Sequence, residues 1–217
     1  MRGAPPWLAV TLATAATALL RVQAADLRVR VVNGAGLPLA NAIVYAVPAI
    51  PIPHGKLPSV IIDQIHRQFA PQVSVVQTGT AVVFPNSDNI RHSVYSFSPA
   101  KVFLLKLYAG RAAPPVVFDQ AGLVVLGCEI HDTMVAWLLV VSTPYYGKSN
   151  AAGLVTLRDL RVGNYRLYAW HVPMRQSTAA QSLDVRPRAP VSAITIRLDV
   201  SGAAPDGPPM SMSGMSH

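Results

Sequence analysis

The chain has 217 residues, 51% hydrophobic and 13% charged, too apolar for a disordered protein and long enough for one large core or two small ones. Eighteen Lys and Arg against ten Asp and Glu give a net charge of +8. No run of like charge and no interleaving of basic with aromatic residues accompanies that excess, so no nucleic-acid partner is expected. A basic surface can steer an acidic partner, and plain solvation explains it equally well.

Arg2, an uncharged apolar run from Trp7 to Leu20, and Val22-Gln23-Ala24 open the chain. That order is the pattern of a secretory signal peptide over residues 1–24, too short and too rich in Ala and Thr for a good anchor. An uncleaved N-terminal anchor is the alternative. No later segment is long enough to span a bilayer. The mature chain is therefore expected in the periplasm, or otherwise exported, with no stable membrane insertion.

Beyond the leader, short β-branched runs recur between Gly, Pro, Asn and Asp: "LRVRVVN", "AIVYAV", "QVSVV", "TAVVF", "HSVYSF", "LVVLGC", "VAWLLVV" and "ITIRLDV" among them. Many short strands at that spacing imply an all-β sandwich or barrel. "SVIIDQIHRQF" at 59–69 is the one candidate helix, limited to a turn or two by Pro58 and Pro71. Residues 72–142 form one continuous block of strands, within a domain expected over 59–142. Residues 26–50 and 143–200 are expected to join as a small discontinuous sandwich that receives this block as an insertion, with 47–58 and 142–150 as connectors. A single larger sandwich is the alternative. The tail from 202 to 217, "GAAPDGPPMSMSGMSH", has nothing to build a core with and is expected to be disordered.

"LGCEIHDTM" at 126–134 holds the only cysteine and the only glutamate of the chain. A lone thiol in an exported protein is buried, paired between chains or bound to a metal. Cys128, His131 and Met134 lie between two apolar runs, on a short loop joining two strands. Thiolate, imidazole and thioether suit copper, because thioether is a poor ligand for zinc and for harder ions. Structural zinc would need a second cysteine pair, and c-type haem a C-x-x-C-H motif. A further nitrogen is needed for a trigonal His2Cys site with a weak axial methionine, and His92, opening a strand after "FPNSD", is the candidate.

The ordered set "FPN-x-D-x-x-x-H" followed by "C-x2-H-x2-M" resembles the cupredoxins, the type I blue copper proteins, with a ligand-loop spacing similar to that of amicyanin. The wider run over most of 60–142 resembles the bacterial cupredoxin-like proteins often named methylamine utilization proteins. The ends more weakly resemble a transthyretin-like or carboxypeptidase regulatory-like sandwich. The resemblance implies a Greek-key cupredoxin β-sandwich inserted in or fused to that smaller sandwich. It implies one copper per chain, cycling between Cu(I) and Cu(II), with His92, Cys128 and His131 as strong ligands and Met134 as the long axial one. It also implies outer-shell electron transfer to a redox partner protein rather than enzyme catalysis.

Around these ligands, Ser93 is placed to offer a hydrogen bond to the Cys128 sulfur, and Asn86 or Asp88 to brace the turn carrying His92. Glu129 points to solvent or reaches the metal; in the second case the site hardens, and a small copper redox enzyme becomes the reading. Met134 packed as core is the bland alternative to an axial ligand. Delivery or storage of Cu(I), helped by Met210, Met212, Met215 and His217 of the tail, is the alternative function. His54, His66 and His171 are expected to be solvated or capping residues.

Overall fold

The structure, a computed structural model, describes residues 24–53, 55–110, 114–172, 174, 178–186 and 193–200. The expected leader before Ala24, the tail from 202 onward and His54 lie outside the described residues. Among the described residues no helix is long and apolar enough to cross a membrane.

The chain opens with β1 (Ala24–Asn33) and β2 (Ile43–Pro48). The central block holds β3 (Val60–Ile61), β4 (Asp63–Ile65), β5 (Gln68–Ala70), β6 (Val73–Gln77), β7 (Thr80–Val83), β8 (His92–Ser98), β9 (Lys101–Tyr108), β10 (Val116–Phe118), β11 (Gly122–Gly127) and β12 (Val135–Val141). After it come β13 (Tyr146–Lys148), β14 (Leu154–Arg161), β15 (Gly163–Trp170), β16 (Thr178–Val185) and β17 (Ala193–Leu198). The all-β expectation holds.

The strands assemble into four principal sheets, ordered β14-β1-β17, β13-β2-β15-β16, β6-β12-β11-β8-β9 and β10-β7-β3, with β4-β5 as a separate hairpin. Three cores bind these sheets as a stack of four layers. Leu27, Val29 and Val31 of β1 meet Val44 and Ala46 of β2 and Leu167 of β15 in the first core. Val82 of β7 and Phe118 of β10 meet Val94, Val124, Leu126 and Leu138 of the five-stranded sheet in the second. The third joins the two pairs: Ile43 and Trp170 pack on Leu139 and Val141.

β12 shows why "VAWLLVV" is apolar throughout instead of alternating. Ala136, Leu138 and Val140 face the central core, whereas Trp137, Leu139 and Val141 face the flanking sheet. A strand buried on both faces has no solvent side on which to place polar residues. Gly153, at the turn into β14, answers a different constraint. Its φ is +72° and a Cβ there would stand 2.4 Å from the carbonyl oxygen of Val31.

The helix expected at 59–69 is not formed. Ile61 is exposed, Ile62 and Gln64 are buried and Ile65 is exposed, a period of two rather than 3.6. The backbone N–H groups of Ile62 and Gln64 donate to the carbonyls of Val83 and Pro85, so a strand of the central sandwich replaces the helical ladder. His66 and Arg67 then form a two-residue turn with φ of 53° and 55°, closing β4 onto β5.

The segment 142–150, expected as a connector, contributes β13, which pairs with β2 from Tyr146↔Tyr45 to Lys148↔Ile43. Thr143 is fully buried there and its hydroxyl donates to the Ala46 carbonyl at 2.7 Å. β16 was also not expected, because "TAAQSLDV" carries no β-branched run; pairing with β15 makes it a strand.

Candidate metal centre

β11 and β12 pair antiparallel from Gly122↔Val140 to Gly127↔Val135, so residues 128–134 are the loop of a hairpin. Within it the N–H of Met134 donates to the His131 carbonyl at 2.9 Å and tightens the turn. Gly127 also pairs with Tyr95 of β8, which sets the start of β8 beside the loop. His92 and Ser93, the first two residues of β8, are both fully buried there.

His92 Nδ1 and His131 Nδ1 each lie 3.8 Å from Cys128 Sγ, and all three donor atoms lie within 4.8 Å of one another. The two imidazole rings are 4.9 Å apart at 59°. Cys128 is 3% exposed and His131 half-buried. Burial above all pushes the His131 pKa down, against the opposing charge of Asp88, which favours the neutral imidazole that can ligate.

The donor set fits one soft or borderline ion. A first-row ion bonds at about 2.0 Å to nitrogen and about 2.3 Å to sulfur. Bonds of those lengths span a 3.8 Å sulfur–nitrogen gap at an angle of about 120°, suited to a trigonal His2Cys site. No carboxylate belongs to this cluster of donors.

The neighbours divide their tasks. Ser93 Oγ donates to Cys128 Sγ at 3.8 Å and accepts the N–H of Glu129 at 2.9 Å, so one hydroxyl serves the sulfur and the loop backbone together. Asn86, 4% exposed, donates from Nδ2 to the carbonyls of Ile90 and Tyr108 and accepts the N–H of Asp88, pinning the turn ahead of β8. Asp88 accepts from His92 Nε2 at 2.8 Å, and from the N–H groups of His66 at 2.7 Å and Arg67 at 2.9 Å. Burial pushes the Asp88 pKa up, but the hydrogen bonds from Arg67, His92 and His66 outweigh it and hold the carboxyl below its usual range.

Met134 is 1% exposed and shares the central core with Cys128. Glu129 brings its backbone to Ser93 while its side chain is exposed. His171 lies away from the cluster, with Nε2 3.0 Å from the Ala40 carbonyl. The tail residues Met210, Met212, Met215 and His217 lie outside the described residues.

Sequence reasoning missed the support behind His92. Tyr108 pairs with His92 across β8 and β9, and its hydroxyl donates to the Phe84 carbonyl and contacts the buried Gln64 amide. It missed the hairpin tip at His66-Arg67 as well. No short-range pattern marks either, because the partners lie 16 or more residues apart in the chain.

No protein-family model and no curated protein matches the chain. Among solved structures it is similar to a purple cupredoxin from Nitrosopumilus maritimus, at 20% identity and a TM-score of 0.34, over 38% of this chain and 100% of that one. It is similar to amicyanin, in the Cu(I) form of a methionine-to-alanine mutant, at 17% identity and a TM-score of 0.35, over 45% of this chain and 99% of that one. It is also similar to a Cu-containing nitrite reductase from Thermus scotoductus, at 22% identity and a TM-score of 0.38, over 52% of this chain and only 28% of that one.

Proposed function

We propose that the chain binds a single copper ion through His92, Cys128 and His131, with Met134 as the weak axial ligand, and carries electrons for a redox partner protein in the periplasm. The observation that carries this reading is the convergence of two imidazole nitrogens on one buried thiol, each at 3.8 Å. When bound, copper supplies a one-electron Cu(II)/Cu(I) couple.

The chain's own residues supply the rest. The β8 start and the β11–β12 hairpin hold three donors on a rigid frame, so little reorganisation accompanies a change of charge. Burial of Cys128 excludes water from the sulfur, and the Ser93 hydroxyl tempers its electron donation. The half-buried ring of His131 offers the shortest route to a docked partner. Four protein ligands would leave no vacant position for substrate, which supports a carrier over an enzyme. Export rests on the leader pattern of residues 1–24. The flanking strands, grouped as three and four in packed sheets, are read as a transthyretin-like sandwich that presents the copper module.

The test is the visible spectrum of the protein loaded with one equivalent of Cu(II), followed by a reversible redox titration. An intense thiolate-to-copper band with a reversible couple supports the reading. A protein holding only Cu(I) would turn the function to copper delivery or storage. Turnover of a small oxidant or reductant would make it an enzyme, and failure to bind copper would end the proposal.

A further inference from the structure

We propose that Asp88 is the positioning residue of this metal centre, and that the β4–β5 hairpin is the clamp that holds Asp88 in place. The inference rests on the copper reading above and deepens it. One carboxylate takes three donors. Oδ1 accepts the His66 N–H, and Oδ2 accepts both the Arg67 N–H and His92 Nε2. The side chain of Asp88 is 11% exposed and that of His92 fully buried, so water competes little for these bonds.

The hairpin bears a backbone cost to make this arrangement. His66 and Arg67 both sit at positive φ, 53° and 55°, which is unfavourable for residues with a Cβ. Both N–H groups of the turn thereby reach the same carboxylate. The hairpin is a two-stranded unit of its own, joined to the central sandwich by backbone bonds from Gln64 to Pro85 and from Ser87 to Gln64. Its tip is tied to a residue of the metal cluster through a single side chain.

The consequence is chemical. With Nε2–H donated to a carboxylate, His92 is held as the tautomer whose Nδ1 lone pair is bare, and that nitrogen faces Cys128 Sγ. A carboxylate behind an imidazole also makes it a stronger donor, which favours the more highly charged metal ion. Asp88 therefore preorganises the site before metal arrives and lowers the reduction potential after it binds. The fixed hairpin keeps the carboxylate from swinging out to solvent.

Two variants test this, with a readout that needs no copper. In the apo protein, nitrogen NMR of labelled histidine is expected to show His92 as the Nε2–H tautomer, and Asp88→Asn to give a mixture. In the copper protein, Asp88→Asn should weaken Cu(II) binding about tenfold or more with little change for Cu(I). That tenfold selectivity corresponds to a rise of about 59 mV in potential for a one-electron couple. His66→Val puts a β-branched residue at positive φ without changing charge, and should move the potential the same way by less. His66→Asn, a residue that tolerates that backbone, should restore the parent potential. An unchanged tautomer, Cu(II) affinity and potential in Asp88→Asn, in a protein that still shows the thiolate band, would overturn the proposal and leave the copper reading standing. Equal potentials in His66→Val and the parent would overturn the clamp. A parent protein without the band would refute the copper reading itself.

Discussion

Ser93 Oγ stands 3.8 Å from Cys128 Sγ and 2.9 Å from the N–H of Glu129, so a residue 35 positions earlier in the chain fixes both the sulfur and the loop that carries it. On the copper reading, removing that hydroxyl in Ser93→Ala should leave the thiolate a stronger donor and lower the reduction potential. A hydrogen bond of about 1 kcal/mol corresponds to about 40 mV. Voltammetry of the two proteins measures it; a rise in potential would show that the bond does not bear on the sulfur. Cys128→Ser, by contrast, should abolish the charge-transfer band while far-ultraviolet circular dichroism retains the β signal.

Met134 is fully buried in the core that also holds Cys128. Met134→Leu keeps nearly the same volume, so the folding cost should stay below about 1.5 kcal/mol. Loss of an axial thioether should raise the reduction potential while copper stays bound. An unchanged potential would assign Met134 to packing alone.

Trp170 is fully buried between the two sandwiches, against Leu139 and Val141, with its indole N–H donated to the Met174 carbonyl at 2.8 Å. Trp170→Ala should cost about 3–5 kcal/mol in chemical denaturation. The copper band should persist in the folded fraction, because Trp170 packs in the core between the sandwiches and Cys128 in the central one. Loss of the band without loss of stability would contradict that separation.

Tyr108, across the sheet from His92, has its pKa pushed up to about 12, by burial first; the Gln64 amide opposes the shift and the Cys128 charge adds to it. A phenol held neutral in the fold binds its proton more tightly than it does in the unfolded chain. Its contribution to stability is then complete below about pH 10, the unfolded value, and is lost as pH rises through about 12. Burial also raises Tyr95, Tyr146 and Tyr165, so ultraviolet titration should find several late tyrosinate steps, with one fewer in Tyr108→Phe. A titration in which that variant loses an ordinary early step instead would show that Tyr108 is not held neutral.

Much of this protein was legible without coordinates. Short β-branched runs between turn residues predicted an all-β chain, and the soft donors of 126–134 beside a distant strand-opening histidine marked the candidate centre. Both signals are local. Strand preference and ligand chemistry both follow from residue type, so neither needs a partner strand to be known.

Tertiary contact decided the rest. Residues 60–64 became strands because β7 and the Val83–Pro85 backbone offered them hydrogen bonds, and 68–70 because they pair back on β4; both outweighed a weak helical spacing. β12 is apolar on both faces because the flanking sheet covers the side that water would otherwise wet. The orientation of His92 was likewise invisible in sequence. It depends on a carboxylate four residues away, itself held by a turn more than 20 residues earlier. Residue types named the candidate ligands; only the folded packing could choose which nitrogen of His92 faces Cys128, because that choice is made by hydrogen bonds between segments that meet in space alone.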